Sequence, residues 1–351
     1  EEGGDMRKDV CNTWIVKLNL AAVKVILITI LLATGLNSGS ALSAEPIQMG
    51  IMTGGPKGTY YQFGLNIQKL VETDGIDLRV DNSNGSVENI YAVYQKPQTQ
   101  LGIVQSDVLA FVTEVQTDPA LKRIAKKTRM VFPLYNEEIH LLGTKDIIDF
   151  DYLASKKVAI GKEGSGTYLT AKLLLKVAGI EPADIITIGT DEALDQLKAG
   201  KIDAMFYVAG YPVKLFSENV SPEDNLALIP ILNKSILEFY PQVEIPAGTY
   251  TWQDKAIITA AVKAVLISYD FRQYHCETVG RVAKLIYENL DGLVANGHPK
   301  WQFVDFNYPL KGWEQYDCVK KYLVGAKRQP RQSSSGDINP ILNAIKEMLP
   351  E

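Results

Sequence analysis

The sequence has 351 residues, 46% hydrophobic, 22% charged and 9% aromatic, an ordinary globular mix that excludes collagen-like and wholly disordered chains and predicts two domains or one bilobal unit. Lys plus Arg number 36 against 41 Asp plus Glu, a net charge of −5, and no basic stripe offers the phosphate neutralisation that nucleic-acid binding needs. Three cysteines are too few for a disulfide scaffold and lack zinc spacing, and a lone apolar run excludes a polytopic membrane protein.

That run, Val25–Ala33, spans nine residues, short of the ~20 that cross a bilayer. Arg7, Lys8, Lys17 and Lys24 precede it, and the small-residue stretch Ser40–Ala44 follows. Cationic, then apolar, then small is the order of a secretory signal peptide. Residues 1–44 are therefore expected to direct export, with Glu1–Asp5 an extension upstream of Met6 and cleavage after Ser43 or Ala44. Export would permit a disulfide between Cys276 and Cys318, and the sequence leaves their pairing open.

From residue 47 short apolar runs alternate with amphipathic segments. Strands are predicted at Ile47–Met52, Leu78–Asp81 and Leu101–Val104, with helices at Tyr60–Glu72, Ser86–Tyr94 and Asp107–Val115. The pattern restarts with strands Lys157–Ile160, Ile185–Ile188 and Ala204–Val208 and helices Tyr168–Ala178 and Glu192–Ala199. Such alternation predicts an α/β protein with mostly parallel sheets covered by helices on both faces. Gly58-Thr59-Tyr60 and Gly166-Thr167-Tyr168 open two of the helices after glycine-bearing loops, an internal echo that predicts two similar lobes with a cleft between them. The charged pair Glu137-Glu138 followed by a crossing strand, Ile139–Leu142, and the turn-prone Gln242–Thr249 assign residues 45–139 and 247–325 to lobe 1 and 140–246 to lobe 2, with Leu142, Pro246 and Gly248 as hinge residues. Residues 326–351 read as a polar linker and a short amphipathic helix, Ile338–Leu349.

The strongest local signals are the glycine loops. Thr53-Gly54-Gly55 through Thr59 and Tyr60 follows a strand and starts a helix, and Gly161 through Ser165, Gly166 and Thr167 repeats the device. Glycine lets backbone N–H groups approach a ligand, and a helix N-terminus carries partial positive charge. Gly85-Ser86 and Gln105-Ser106 mark two further strand ends, and in open α/β sheets ligands sit outside the carboxyl ends of strands. Helix capping alone would explain Thr59, Ser86, Ser106, Ser165 and Thr167 taken singly; the facing pair of loops favours a small anionic solute. Tyr60 and Tyr207 are candidates to wall the cleft. Neither loop is a nucleotide-binding fingerprint. His140, His275 and His298 are scattered without metal spacing, no nucleophile elbow is present, and no carboxylate stands out, so no enzyme, cofactor or metal site is expected.

At these loops the sequence resembles the TAXI group of extracytoplasmic solute receptors, which serve TRAP (tripartite ATP-independent periplasmic) transporters. The matching blocks are Thr-Gly-Gly-x-x-Gly-Thr-Tyr-Tyr at 53–61, Gly-Ser-Val-Glu-Asn at 85–89, Gln-Ser-Asp at 105–107 and Gly-Ser-Gly-Thr at 164–167. Gly-Lys-Ile-Asp-Ala at 200–204 with Val-Ala-Gly at 208–210, and Ile-Pro-Ala-Gly-Thr-Tyr at 245–250, complete the set. The resemblance implies a periplasmic-binding-protein type II fold and a periplasmic receptor that closes on a small solute and delivers it to membrane-embedded permease subunits; the paired helix starts suit one or two carboxylates, so a dicarboxylate, glutamate or a 2-oxo acid is the expected ligand and a monomer the expected state. The resemblance places the ligand among Thr53–Tyr60, Gly85-Ser86, Gln105-Ser106, Ser165–Thr167 and Tyr207, Ala209 and Gly210. Pro56-Lys57 departs from the small residues of the family's first loop, so Lys57 either touches an anionic ligand or faces solvent. A sensor-kinase receptor and an exported enzyme on the same scaffold are the rival readings.

Overall fold

The structure is a computed structural model that describes residues 45–108, 112, 119–310 and 312–326. The expected signal peptide, the linker and the Ile338–Leu349 helix lie outside the described residues, as does most of the Asp107–Val115 helix.

Lobe 1 begins as two strand–helix units: β1 (Ile47–Met52), α1 (Thr59–Glu72), β2 (Ile76–Asp81), α2 (Ser86–Gln95) and β3 (Leu101–Gln105). Helix α3 (Pro119–Lys127) leads into β4 (Thr128–Thr144), a strand of 17 residues. Lobe 2 repeats the pattern with β5 (Lys157–Ala159), α4 (Gly166–Ala178), β6 (Asp184–Ile186), α5 (Thr190–Lys198) and β7 (Ala204–Ala209). After α6 (Lys214–Asn219), β8 (Leu226–Leu228), α7 (Lys234–Leu237) and β9 (Gln242–Ile245), β10 (Ile257–Tyr269) returns to lobe 1. Helices α8 (Cys276–Glu288), α9 (Leu290–Asn296) and α10 (Asp317–Leu323) then cover lobe 1.

One sheet runs through both lobes in the order β2-β1-β3-β10-β4-β7-β5-β6, with β8 beside β4 and β9 beside β10. The β1/β2, β1/β3, β5/β6 and β5/β7 pairs are parallel, as the βαβ spacing requires. The two long strands β4 and β10 are antiparallel to each other and to β3 and β7. Away from the polar stretch Asn136–His140 and from Lys263, their residues are buried and mostly apolar on both faces. The strands also show where one lobe gives way to the other. On β10, Ala260 and Val262 pack into the core of lobe 2 while Ala264 and Leu266 pack into that of lobe 1. On β4, Leu134 and Tyr135 belong to lobe 1, and Ile139 and Leu141 to lobe 2. Glu137 and Glu138 sit at this passage.

The expected hinge residues fall elsewhere. Leu142 is buried within lobe 2, paired with Met205 and Leu228, and Pro246 and Gly248 lie in the β9–β10 loop, where Gly248 turns at φ 73°. The chain passes between the lobes inside the strands β4 and β10, whose pairing shifts register between Lys263 and Val265, so turn-forming residues are not what marks the boundary. Cys276 and Cys318 form a disulfide that ties α8 to α10, with Cα atoms 5.2 Å apart.

Candidate functional site

Four helices begin at one cavity of about 390 Å³ between the lobes: α1 and α2 from lobe 1, α4 and α5 from lobe 2. The first N–H groups of a helix have no intrahelical acceptor, so each start presents donors and partial positive charge. Three of these helices have glycine at the N-cap, Gly58, Gly85 and Gly189, and no side chain caps them. Gly85 adopts φ 126°, a conformation reserved for glycine. Only α4 is capped conventionally, Ser165 Oγ accepting from the Tyr168 N–H at 3.1 Å.

Of the residues expected at the ligand, Gly54, Gly55, Thr59, Tyr60, Gly85 and Ser86 line the cavity from lobe 1 together with Gln105. Ser165, Gly166, Thr167, Tyr207 and Ala209 line it from lobe 2. Thr53, Ser106 and Gly210 stand behind the wall. Thr53 Oγ1 donates to the Asp81 carbonyl at 2.8 Å, Ser106 Oγ accepts from the Lys263 N–H at 3.2 Å, and the Gly210 carbonyl accepts from Thr59 Oγ1. The expected hydroxyls are largely engaged in holding the site together. Ser86 Oγ accepts from the Gln105 N–H at 3.0 Å, and Thr167 Oγ1 accepts from the Val208 N–H at 3.2 Å. The backbone donors are what the helix starts leave for a ligand.

Two side chains give the cavity its polarity. Gln105 is buried, and its Oε1 has no hydrogen-bond partner; an orphaned buried acceptor costs about 1–3 kcal/mol until something satisfies it. Glu137, which the sequence reading placed only near a lobe boundary, reaches the cavity from β4, and Tyr60 donates to its Oε2 at 2.6 Å. Burial pushes the Glu137 carboxyl well above its ordinary range, opposed by the Tyr60 hydrogen bond. No motif flagged it, because its position follows from where β4 leaves lobe 1.

Beside it a buried ion pair fills the passage. Lys300, in the 3-10 turn Pro299–Phe303, reaches Glu138 Oε1, and Glu138 Oε2 accepts from the Tyr211 N–H at 3.2 Å. Lys300 also lies 3.7 Å from the Tyr211 ring centroid. His140 is a satisfied core residue: Nδ1 contacts the Glu138 carbonyl at 3.0 Å and Nε2 the Tyr250 hydroxyl at 2.9 Å. Burial lowers its pKa to about 3, so it is neutral.

The lobes meet across the cleft. Lys57 neither faces solvent alone nor enters the cavity; its Nζ is 2.6 Å from Asp191 Oδ1, at the start of α5. Lys162 Nζ donates to Asn84 Oδ1 at 3.0 Å, and Thr170 Oγ1 donates to Asp107 Oδ2 at 2.7 Å. Burial raises the Asp107 pKa to about 6 despite the Thr170 bond. Gly166 lies so close to Gln105 that an ideal Cβ there would stand 1.8 Å from Oε1. The arrangement is a closed cleft.

Among the described residues no group of three or more His, Cys, Asp or Glu is placed to hold a metal, and no helix is long and apolar enough to cross a membrane.

Known structures share this architecture. The chain is similar to the periplasmic binding protein BugD at a TM-score of 0.53 and 9% identity, over 86% of this chain and 97% of that one. It is also similar to the effector-binding domain of BenM with benzoate, at a TM-score of 0.46 and 13% identity over 76% and 97% of the two chains. An ancestral arginine-binding protein bound to arginine matches at a TM-score of 0.45 and 15% identity, over 72% and 97%. The fold is that of the two-lobed type II periplasmic binding proteins. By sequence, residues 51–304 match the NMT1-like family, and the chain belongs to that family.

Proposed function

We propose that the protein is an extracytoplasmic solute receptor of the TAXI kind, which captures a small organic anion by lobe closure and delivers it to the membrane subunits of a TRAP-type transporter. The ligand class is a dicarboxylate, glutamate or a 2-oxo acid. The observation that carries the reading is the cavity onto which four helix starts converge, three of them without a side-chain cap, together with the unpartnered Gln105 oxygen in its wall. Donors gathered from both lobes are engaged together only when the lobes are closed, so a ligand that uses them shifts the open–closed equilibrium toward the closed form. The shape match to BugD, by its name a periplasmic binding protein, agrees with a receptor, and the Cys276–Cys318 disulfide suits an oxidising compartment such as the periplasm. On this reading the receptor acts as a monomer that binds its solute and releases it unchanged.

A thermal-shift panel tests the reading. A ligand at 100 times its Kd stabilises by about 2.7 kcal/mol, and succinate, L-glutamate or 2-oxoglutarate is expected to raise Tm by several degrees while neutral sugars and amines do not. A shift from sugars or amines alone overturns the anion assignment. Co-purification of tagged receptor with TRAP membrane subunits in the presence of the stabilising anion, and its loss without it, tests the partner.

A further inference from the structure

An acidic side chain in the wall of a cavity proposed for anions needs an explanation. Glu137 is 2% exposed and lines the cavity, and its one recorded donor is the Tyr60 hydroxyl. Apart from Lys300, the groups that face it add negative charge or none. Tyr60 reaches it from α1, Tyr135 and Glu138 flank it on β4, Asp107 approaches from the end of β3 and Tyr207 from β7. The buried Lys300 is held by Glu138, Lys57 is paired with Asp191, and Lys162, on the lobe 2 side of the cavity, donates to the neutral Asn84 amide. With Gln105 Oε1 also unpartnered, the inner wall is rich in acceptors. An anionic oxygen entering it meets repulsion unless one acceptor becomes a donor, and when two carboxylates share a site one of them keeps its proton.

We propose that Glu137 binds the ligand as the neutral acid, donating a hydrogen bond to a ligand carboxylate or 2-oxo oxygen, so that capture of the anion brings one proton from solvent into the cleft. The inference rests on the anion reading above and sharpens it: the favoured ligands are dicarboxylates and 2-oxo acids, which place an acceptor at Glu137, over glutamate, whose ammonium would require Glu137 ionised. The raised pKa of Glu137 in the closed cleft has the right direction, since burial there lowers the cost of holding the proton.

Calorimetric titration with succinate, 2-oxoglutarate and L-glutamate in phosphate and Tris buffers at pH 6, 7 and 8 reads the proton directly. Succinate or 2-oxoglutarate is expected to bind with net uptake of up to one proton, and affinity to fall by as much as tenfold per pH unit once Glu137 is ionised in the free protein. Glu137→Gln removes this slope and, carrying a permanent N–H donor, binds more tightly than wild type at pH 8. Tyr60→Phe, which removes the donor to the ionised form, moves the falling limb to higher pH. Binding without proton uptake, binding of glutamate with proton release, or loss of all binding in a Glu137→Gln protein of normal melting temperature overturns the proposal while leaving the anion reading intact. If none of the three anions binds, both fail.

Discussion

Lys57 and Asp191 are 134 residues apart in the chain and 2.6 Å apart in space, one on the first glycine loop of lobe 1 and the other in the first turn of α5 in lobe 2. The pair spans the mouth of the cleft and exists only when the lobes are together. Both side chains are substantially exposed, so the pair is worth no more than about 1 kcal/mol. Asp191→Asn is expected to weaken the affinity for the captured anion by about fivefold or less, and the difference should vanish near 1 M salt, where the screening length is about 3 Å. Calorimetry at low and high salt checks both; an effect that survives high salt would mean that Asp191 acts on the ligand by another route.

Asp107 predicts a pH dependence of stability. Its pKa is raised from 3.8 to about 6 by burial, so between these values the folded protein holds a proton that the unfolded chain has released. Stability is fully present below pH 4, declines as pH rises toward about 6 and then levels, a loss of about 3 kcal/mol at ~1.4 kcal/mol per unit. Asp107→Asn stays neutral throughout. Denaturant midpoints at pH 4.5 and 7 should therefore separate the two proteins by a pH-dependent margin, and identical pH profiles would refute the assignment.

Two glycines of the cavity wall should behave oppositely. An added Cβ at Gly166 would overlap the Gln105 side chain, whereas one at Gly55 meets no atom within 4 Å. Gly166→Ala is expected to reduce ligand affinity at least tenfold by forcing Gln105 and the two lobes apart. Gly55→Ala should leave stability within about 0.5 kcal/mol of wild type. Melting and binding measurements on the two variants make the comparison.

Lys300 and Glu138 are each almost fully buried, so removing one charge strands the other. Lys300→Met is expected to cost about 3–5 kcal/mol in chemical denaturation, and the Glu138→Gln, Lys300→Met double variant to recover most of it, because the penalty is that of an uncompensated charge. A double variant as unstable as the single one would show that the ion pair contributes through packing instead.

Much of the fold was legible locally. The alternating apolar and amphipathic segments located β1 to β3 and β5 to β7 with their intervening helices, and the twin Gly-Thr-Tyr starts pointed to two helix beginnings at one cleft. Of the long strands only the crossing segment Ile139–Leu142 of β4 was legible; the rest of β4 and all of β10 were not. Most of β4 and β10 is buried on both faces for reasons that lie in other elements, and such a largely apolar run has no period to distinguish it from a buried helix. The boundary expected after residue 139 stands beside the passage at Glu137–Ile139, whereas the return passage at Val262–Ala264 was hidden in β10, and punctuation at Pro246 and Gly248 pointed to a loop instead. Thr53, Ser106 and Gly210 were read as part of the ligand wall from their place at strand ends, but a strand end supplies supports as well as contacts.

The sequence by itself determined where strands end in glycine and helices begin, since turn conformation, helix starts and hydrophobic periodicity are written within a few neighbouring residues. Only the tertiary structure decided that Glu137 faces the cavity, that Lys57 is held by Asp191 and that Cys276 joins Cys318. Each of these depends on segments far apart in the chain being brought together by the two shared strands, and a distance between such segments is a property of the packed core and not of any local pattern.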